Sequence, residues 1–261
     1  MHHRLPDTYA TERRTLQVVA THVIARRLHD ATGRFGLRAT PGGFGTPQFE
    51  TSGAGRERLR LSGDRLVRER LDPTASTTST PVDGVTLAEL AAFAGVRLDH
   101  DDDVDDGDAE RFSVGHDTPS LGDTDHLLTI GVETFRAIGD WFAVVAAALD
   151  AVAGSATDPR STPSVAQIWP EHFDLAVDLA FDPNRADIRR ANVGGSVGDD
   201  FEAEPYLYVG PWTDDRPGDP EFWNAPFGAV LRRTDLLASH DPAGSAAAFF
   251  DRGLTLLATA A

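Results

Sequence analysis

Segments with period-two hydrophobicity follow one another along this chain with only turns between them, and this spacing limits the fold more than any other feature. Residues Glu57–Ser62 alternate arginine with leucine, Ser62-Gly63-Asp64 predicts a hairpin turn, and Arg65–Arg70 nearly alternates in the same way. Phe173–Phe181 shows the clearest alternation. Because these strands cluster instead of alternating with helices, we expect antiparallel sheet and no doubly wound parallel sheet.

Helical periodicity adds elements that would cover this sheet. The predicted helices lie at residues 11–31, at Thr86–Gly95 with a capping box, at Glu133–Ala153, and from Asp241 onward. The fold class is therefore predicted to be α+β, mainly antiparallel sheet covered by helices. Both Gly42-Gly43 and Gly194-Gly195 read as loops after a long helix, which suggests pseudo-repeated halves, 1–130 and 131–261, packed as one domain, 1–261.

Composition narrows the range of partners. The chain has 41 acidic residues against 24 basic residues, all arginine, and a net charge of −17. Such a field repels phosphate backbones and anionic headgroups, so no nucleic acid and no membrane partner is expected.

The absence of cysteine excludes disulfides, thiolate zinc sites and cysteine nucleophiles. An N-terminus without an apolar run predicts a cytoplasmic protein. Residues Asp72–Gly84 and the aspartate run Asp99–Asp108 are predicted to be surface loops.

Chemically capable side chains are concentrated between Trp169 and Phe227, where aromatic and polar residues are interleaved. A ligand pocket lined by several of them is one hypothesis, with His116 contributing if its loop folds over the later strands. The candidate ligand-binding residues are Trp169, His172, Asp174, Asn192, Glu204, Tyr206, Tyr208, Trp212, Trp223, Asn224 and His116.

A metal site is a second interpretation of part of this set. If His172 and Asp174 both lie on a strand, they are about 7 Å apart on one face. That spacing suits a divalent cation, with His116 as a further ligand. The competing interpretation makes Asp174 and Asp178 the solvent side of a half-buried strand, with His172 at its start.

Gly194-Gly-Ser-Val-Gly198 matches the G-x-S-x-G string of the nucleophile elbow in α/β-hydrolases. Asp235 and His240 follow in the serine, acid, histidine order of the α/β-hydrolase triad. The motif requires a helix directly after the serine. The acidic segment Asp199–Pro205 has no apolar stripe and ends in proline, so the favoured interpretation of Gly194–Gly198 is a flexible glycine loop between strands.

Five segments resemble a family of bacterial proteins classed as a domain of unknown function. They are Trp169-Pro-Glu-His-Phe-Asp-Leu-Ala-Val177, Gly198-Asp-Asp-Phe201, Glu204-Pro-Tyr-Leu-Tyr-Val-Gly-Pro-Trp212, Phe222-Trp-Asn-Ala-Pro-Phe-Gly228 and Gly42-Gly-Phe-Gly-Thr-Pro47. The resemblance implies no activity, substrate, cofactor or catalytic residue.

The leading functional hypothesis is a cytoplasmic protein that binds a small neutral or cationic molecule. The first alternative is a metal-dependent hydrolase using His172 and Asp174, with His116 or Glu204, in which the metal would activate water. The second alternative is a non-catalytic interaction subunit whose aromatic segment docks another chain.

Overall fold

The structure is a computed structural model that describes residues 4–52, 55–98, 112–155, 161–181 and 189–259. Its secondary structure is α+β with antiparallel sheets, which confirms the predicted fold class. Within these ranges, no helix combines the length and the apolar character needed to cross a bilayer.

The chain falls into two compact units. The first unit comprises Leu5–Gly139 and Trp169–Phe173, and the second comprises Met1–Arg4, Asp140–Ile168 and Asp174–Ala261. The predicted single domain with two pseudo-repeated halves is not tested by this division and stays a prediction.

The first unit has an antiparallel sheet of strand order β1-β2-β4-β5-β6, with β3 pairing β4. Its strands are β1 (Arg38–Thr40), β2 (Gly43–Gly45), β3 (Phe49–Thr51), β4 (Gly55–Ser62), β5 (Arg65–Arg70) and β6 (Ser76–Pro81). Its helices are α1 (Tyr9–Val19), a π-helical segment (Ala20–Ala25), α2 (Arg26–Thr32) and α3 (Leu87–Ala94).

Local sequence accounts for much of this unit. Leu59 and Leu61 on β4 are buried, as their alternation with arginine predicts. The predicted capping box is present, since Thr86 Oγ1 accepts from the Glu89 amide and the Glu89 carboxylate accepts from the Thr86 amide. Gly95 ends α3 in a left-handed conformation, φ 71°.

The second unit is built on an antiparallel sheet of order β12-β11-β10-β9-β7, with β8 pairing β9. Its strands are β7 (Ser161–Pro163), β8 (Gln167–Trp169), β9 (Asp174–Phe181), β10 (Arg189–Ser196), β11 (Tyr206–Pro211) and β12 (Ala229–Arg232). Its helices are α4 (Val132–Ser155), which enters this unit at Asp140, α5 (Arg233–Ala238) and α6 (Pro242–Thr259).

One face of this second sheet is apolar and packs against two helices. Its buried side chains include Leu175, Val193 and Leu207. A Cβ built at Gly195 would lie 2.4 Å from Val145 of α4, and one built at Gly253 of α6 would lie 2.8 Å from Val209. The opposite face is left for polar side chains, and the candidate site lies there.

Three sequence predictions about loops had different outcomes. The segment Asp72–Gly84 was predicted to be a loop throughout, but Ser76–Pro81 forms edge strand β6, because serine and threonine suit an exposed strand as well as a loop. Gly194-Gly195 was also predicted to be a loop and lies inside β10. The aspartate run Asp99–Asp108 lies outside the described residues.

We predict that a methyl group is costly at Gly194 and tolerated at Gly210 on the same face. A Cβ at Gly194 would lie 2.3 Å from the Leu175 carbonyl oxygen and 2.6 Å from Ala176 Cβ, whereas one at Gly210 would meet nothing closer than 3.8 Å. Gly194→Ala should lower the free energy of unfolding in urea by about 1–3 kcal/mol. Gly210→Ala should change it by less than about 0.5 kcal/mol. Equal effects of the two substitutions would contradict this packing.

Candidate functional site

The polar face of the second sheet brings chemically active side chains together through strand register. Asp174 of β9 lies opposite Ser196 of β10, and Ser196 lies opposite Tyr206 of β11. In the next row, Gly194 lies between Ala176 and Tyr208. Directly paired residues project to the same face, so the acid, the serine and the two tyrosines share one surface.

The Asp174 carboxyl group is the centre of this arrangement. The residue is only 6% exposed, and its Oδ2 accepts a hydrogen bond from the Tyr208 hydroxyl. The bond connects β11 to β9 across β10, where Gly194 places no side chain in the way. The second carboxyl oxygen, Oδ1, is buried and has no hydrogen-bond partner. A buried oxygen in this condition costs about 1–3 kcal/mol unless a donor reaches it.

Burial controls the protonation of Asp174. Withdrawal from water raises its pKa to about 7, outweighing the Tyr208 hydrogen bond and the interaction with its own backbone amide, which both favour the ionised form, and the Asp199 charge adds to the rise. Burial and the neighbouring carboxyl groups also raise the pKa values of Tyr206 and Tyr208. Both tyrosines therefore remain hydroxyl donors at neutral pH, beside an acid that is partly protonated there.

Asp199 forms the second half of the cluster and fixes the loop above it. One oxygen accepts from the Tyr206 hydroxyl at 2.5 Å, and the other accepts from the amides of Phe201 and Glu202 at 2.9 and 3.0 Å. Gly198 begins this loop at φ 105°, where a Cβ would lie 2.4 Å from the Ala203 carbonyl oxygen. The loop is thus held to Tyr206.

Two phenylalanine rings lie against the tyrosines and face solvent. Phe201 is 42% exposed and Phe227 is 37% exposed, and their ring centroids are 5.2 Å apart. Phe201 contacts Tyr206 at 5.9 Å, and Phe227 lies 6.5 Å from Tyr208. We call Asp174, Asp199, Tyr206, Tyr208, Phe201 and Phe227 the acid–aromatic cluster.

The G-x-S-x-G string does not form a nucleophile elbow. Ser196 is the last residue of β10 and is buried, and its hydroxyl accepts from the Gly198 amide at 3.0 Å. Residues 197–205 contain no helix to follow the serine. The favoured sequence interpretation of this string, a flexible glycine loop between strands, is wrong for Gly194–Ser196, which lie in β10.

Two other predicted residues form an exposed group at the opposite end of the same face. Trp212 is 57% exposed, and its indole N–H donates to Asn192 Oδ1 at 3.1 Å. The Arg190 guanidinium lies 4.2 Å from its ring and also pairs with Asp178. Nothing in these contacts connects Trp212 and Asn192 to the Asp174 carboxyl group.

The remaining predicted residues of the second unit support loops. Asn224 donates to the Val230 carbonyl oxygen and accepts from its amide, which holds the turn that carries Phe227. Trp223 donates to the Pro217 carbonyl oxygen at 2.9 Å. Glu204 lies 3.7 Å from Arg233 Nη1.

The strand geometry assumed for His172 and Asp174 is wrong. His172 is exposed and lies in a turn, and Phe173 has a positive φ of 53°, so β9 begins only at Asp174. The solvent-side interpretation is also wrong for Asp174, which is buried, while Asp178 is partly exposed. The sequence could not show that tyrosines and loops cover one end of the polar face.

Three of the predicted residues belong to the first unit and not to the acid–aromatic cluster. The ring centroids of Trp169 and Phe35 are 6.4 Å apart. His172 follows it in the turn. His116 is 93% exposed, with Nε2 3.2 Å from Asp117 Oδ2.

Within the described ranges, no group of three or more histidine, aspartate or glutamate side chains is placed to hold a metal ion. The proposed set of His172, Asp174 and His116 is therefore not observed as such a group. The metal-dependent hydrolase gains no support from the arrangement of these residues.

Sequence reasoning missed three members of the cluster: Asp199, Phe201 and Phe227. The first two stand in Gly198-Asp-Asp-Phe201, which was noted only as a motif. Asp at a loop start commonly accepts from amides two and three residues on, and that signal could have located Asp199. Its pairing with Tyr206 depends on tertiary structure.

Comparisons of the chain with models of known protein families, with curated proteins and with solved structures found no significant match. The resemblance described from the motifs is untested by them and stays a prediction.

The raised pKa of Asp174 predicts a specific pH dependence of stability. Between its ordinary value of 3.8 and about 7, the folded protein keeps a proton that the unfolded chain has released. The contribution of protonated Asp174 to the free energy of unfolding is therefore fully present below about pH 4. This free energy falls as the pH rises to about 7, by up to about 1.4 kcal/mol per pH unit.

Asp174→Asn removes this titration. The free energy of unfolding of the variant minus that of the wild type should be about 2–3 kcal/mol larger at pH 8 than at pH 5, because only the wild type loses stability over this range. Urea unfolding at both pH values measures it. Asp178→Asn, on the same strand, is the control and should show the same difference at both pH values. A pH-independent difference for Asp174→Asn would show that Asp174 does not titrate in this range.

Proposed function

We propose that the second unit binds a small amine with an apolar group, and that its ammonium donates a hydrogen bond to Oδ1 of Asp174. The unpartnered oxygen of this buried carboxyl group is the observation that carries the proposal. A ligand donor would supply the missing hydrogen bond, and a charged donor would supply a stronger one.

The charge of the surroundings favours a cation over an anion. Asp199 acts on Asp174 electrostatically, and the chain as a whole carries a net charge of −17. The two tyrosine hydroxyls are already bonded to the two carboxyl groups. An anionic ligand would add a further negative charge to this region, whereas an ammonium would compensate the charge already present.

The exposed rings suit the apolar part of such a ligand. Phe201 and Phe227 contact the tyrosines and keep more than a third of their surface in solvent. Aromatic faces attract cations and bury apolar groups, so the same rings favour an amine that carries a hydrocarbon or aromatic portion.

Binding of an amine should be linked to ionisation of Asp174. The ammonium prefers the ionised carboxylate, so binding below about pH 7 requires release of a proton. Affinity should therefore rise with pH up to about pH 7 and change little above it, by at most about tenfold per pH unit.

The direct test is isothermal titration calorimetry at pH 8 with phenethylamine and with 3-phenylpropionate, which have a similar apolar portion and opposite charges. We expect wild-type protein to bind the amine and not the carboxylate. Asp174→Asn should bind the amine at least about tenfold more weakly, a loss of about 1.4 kcal/mol. Asp178→Asn should match the wild type.

Three results would each overturn the proposal. The first is equal amine affinity in wild-type protein and a folded Asp174→Asn variant, with circular dichroism as the check on folding. The second is the absence of amine binding, and the third is equal binding of the carboxylate probe.

The interaction-subunit alternative is favoured by one observation, the contact between the exposed rings of Phe201 and Phe227. Exposed aromatic pairs are common at protein interfaces. If these rings dock a second copy of the chain, sedimentation should show a dimer that Phe227→Ser converts to a monomer. A wild-type protein that stays monomeric as its concentration rises would exclude this arrangement.

A further inference from the structure

Arg38 is a partly buried arginine without an acidic partner. It lies on β1, at the edge of the first sheet, and its Nη1 donates to the Leu37 carbonyl oxygen at 3.1 Å. Among the described residues, no carboxylate forms an ion pair with it. Burial lowers its pKa. A guanidinium that is partly withdrawn from water without a counter-charge loses part of its solvation, and a bound anion would compensate this loss.

Strand register places a second arginine on the same face. Arg38 lies opposite Gly45 on β2, and Gly45 lies opposite Arg60 on β4. Two strand spacings separate the Cα atoms of the arginines by about 10 Å, which two guanidinium side chains readily span. The strand between them contributes no side chain here, because a Cβ at Gly45 would lie 2.4 Å from Arg60 Cβ.

The adjacent row supplies hydroxyl groups. Thr40, Gly43 and Ser62 lie opposite one another on the same three strands, and the central residue is again glycine. The Thr40 hydroxyl oxygen is buried and has no hydrogen-bond partner. It lies two residues from Arg38 and projects to the same face, so it is available to donate to a group held by the arginine.

This face differs from its surroundings in charge. Arg60 and Arg58 share one acidic partner, Glu69. Arg65, in the row of Thr40, donates to Ser79 and not to a carboxylate. The three residues of β1 are partly exposed, so a small solute can approach them from water. The local charge is therefore positive on a chain whose overall charge would repel anions.

We propose that this face of the first sheet binds a phosphate group between Arg38 and Arg60, with a hydrogen bond from the Thr40 hydroxyl. A phosphate compensates the uncompensated guanidinium, and its oxygens match the paired donors of arginine. The site is independent of the amine site proposed above, because it lies in the other unit and takes the opposite charge.

The test is calorimetric titration with inorganic phosphate, in chloride buffer at matched ionic strength, of wild-type protein, Arg38→Gln and Arg65→Gln. Arg65→Gln is the control for the loss of one positive charge from this face, since Arg65 is held by Ser79 and makes no proposed contact with the phosphate. Phosphate should bind the wild type and Arg65→Gln with similar affinity and bind Arg38→Gln at least about tenfold more weakly. Acetate, with fewer oxygens and less charge, should bind the wild type more weakly than phosphate does.

A second readout separates a binding role from a structural one. Without phosphate, Arg38→Gln should melt at the same temperature as the wild type or higher, because it removes a desolvated charge. Adding phosphate should raise the melting temperature of the wild type only. The proposal is overturned if phosphate affects wild-type protein and Arg38→Gln equally, if phosphate acts no differently from chloride, or if acetate binds as tightly as phosphate.

Discussion

The burial of the Asp174 carboxyl group beneath Tyr208 is the interaction on which the candidate site depends. The hydrogen bond between them connects β9 to β11 across Gly194, the position where β10 has no side chain. It satisfies one carboxyl oxygen and leaves the other without a donor. The raised pKa and the cost of ionisation both follow from removing this carboxyl group from water.

The rest of the cluster keeps this acid in its buried state. Asp199 holds the loop of Phe201 by accepting hydrogen bonds from two backbone amides. Asn224 holds the turn of Phe227, because its side chain donates to the Val230 carbonyl oxygen and accepts from the Val230 amide. These two connections place the phenylalanine rings against the tyrosines. Polar groups with local backbone partners thus determine where the aromatic groups lie, and one of these groups, Tyr208, bonds the acid.

The elements with a regular hydrophobic period could be predicted from sequence, including β4, β5 and α3. Strands without that period could not: β6 consists of serine, threonine and proline, and β10 contains adjacent glycines that predict a loop. For the candidate site, the concentration of polar and aromatic residues after Trp169 pointed to Asp174, Tyr206 and Tyr208, three side chains that the structure brings together. It could not show that His172 stands in a turn before β9, since the positive φ of Phe173 has no signature in its side chain.

The most direct measurement of the central claim is the side-chain carboxyl ¹³C chemical shift of Asp174 followed by NMR through a pH titration of the folded protein, with the signal assigned by comparison with Asp174→Asn. Burial without a compensating charge predicts a titration midpoint near pH 7. A midpoint near the ordinary aspartate value of 3.8 would mean that the carboxyl group is well solvated or compensated, and would contradict the account.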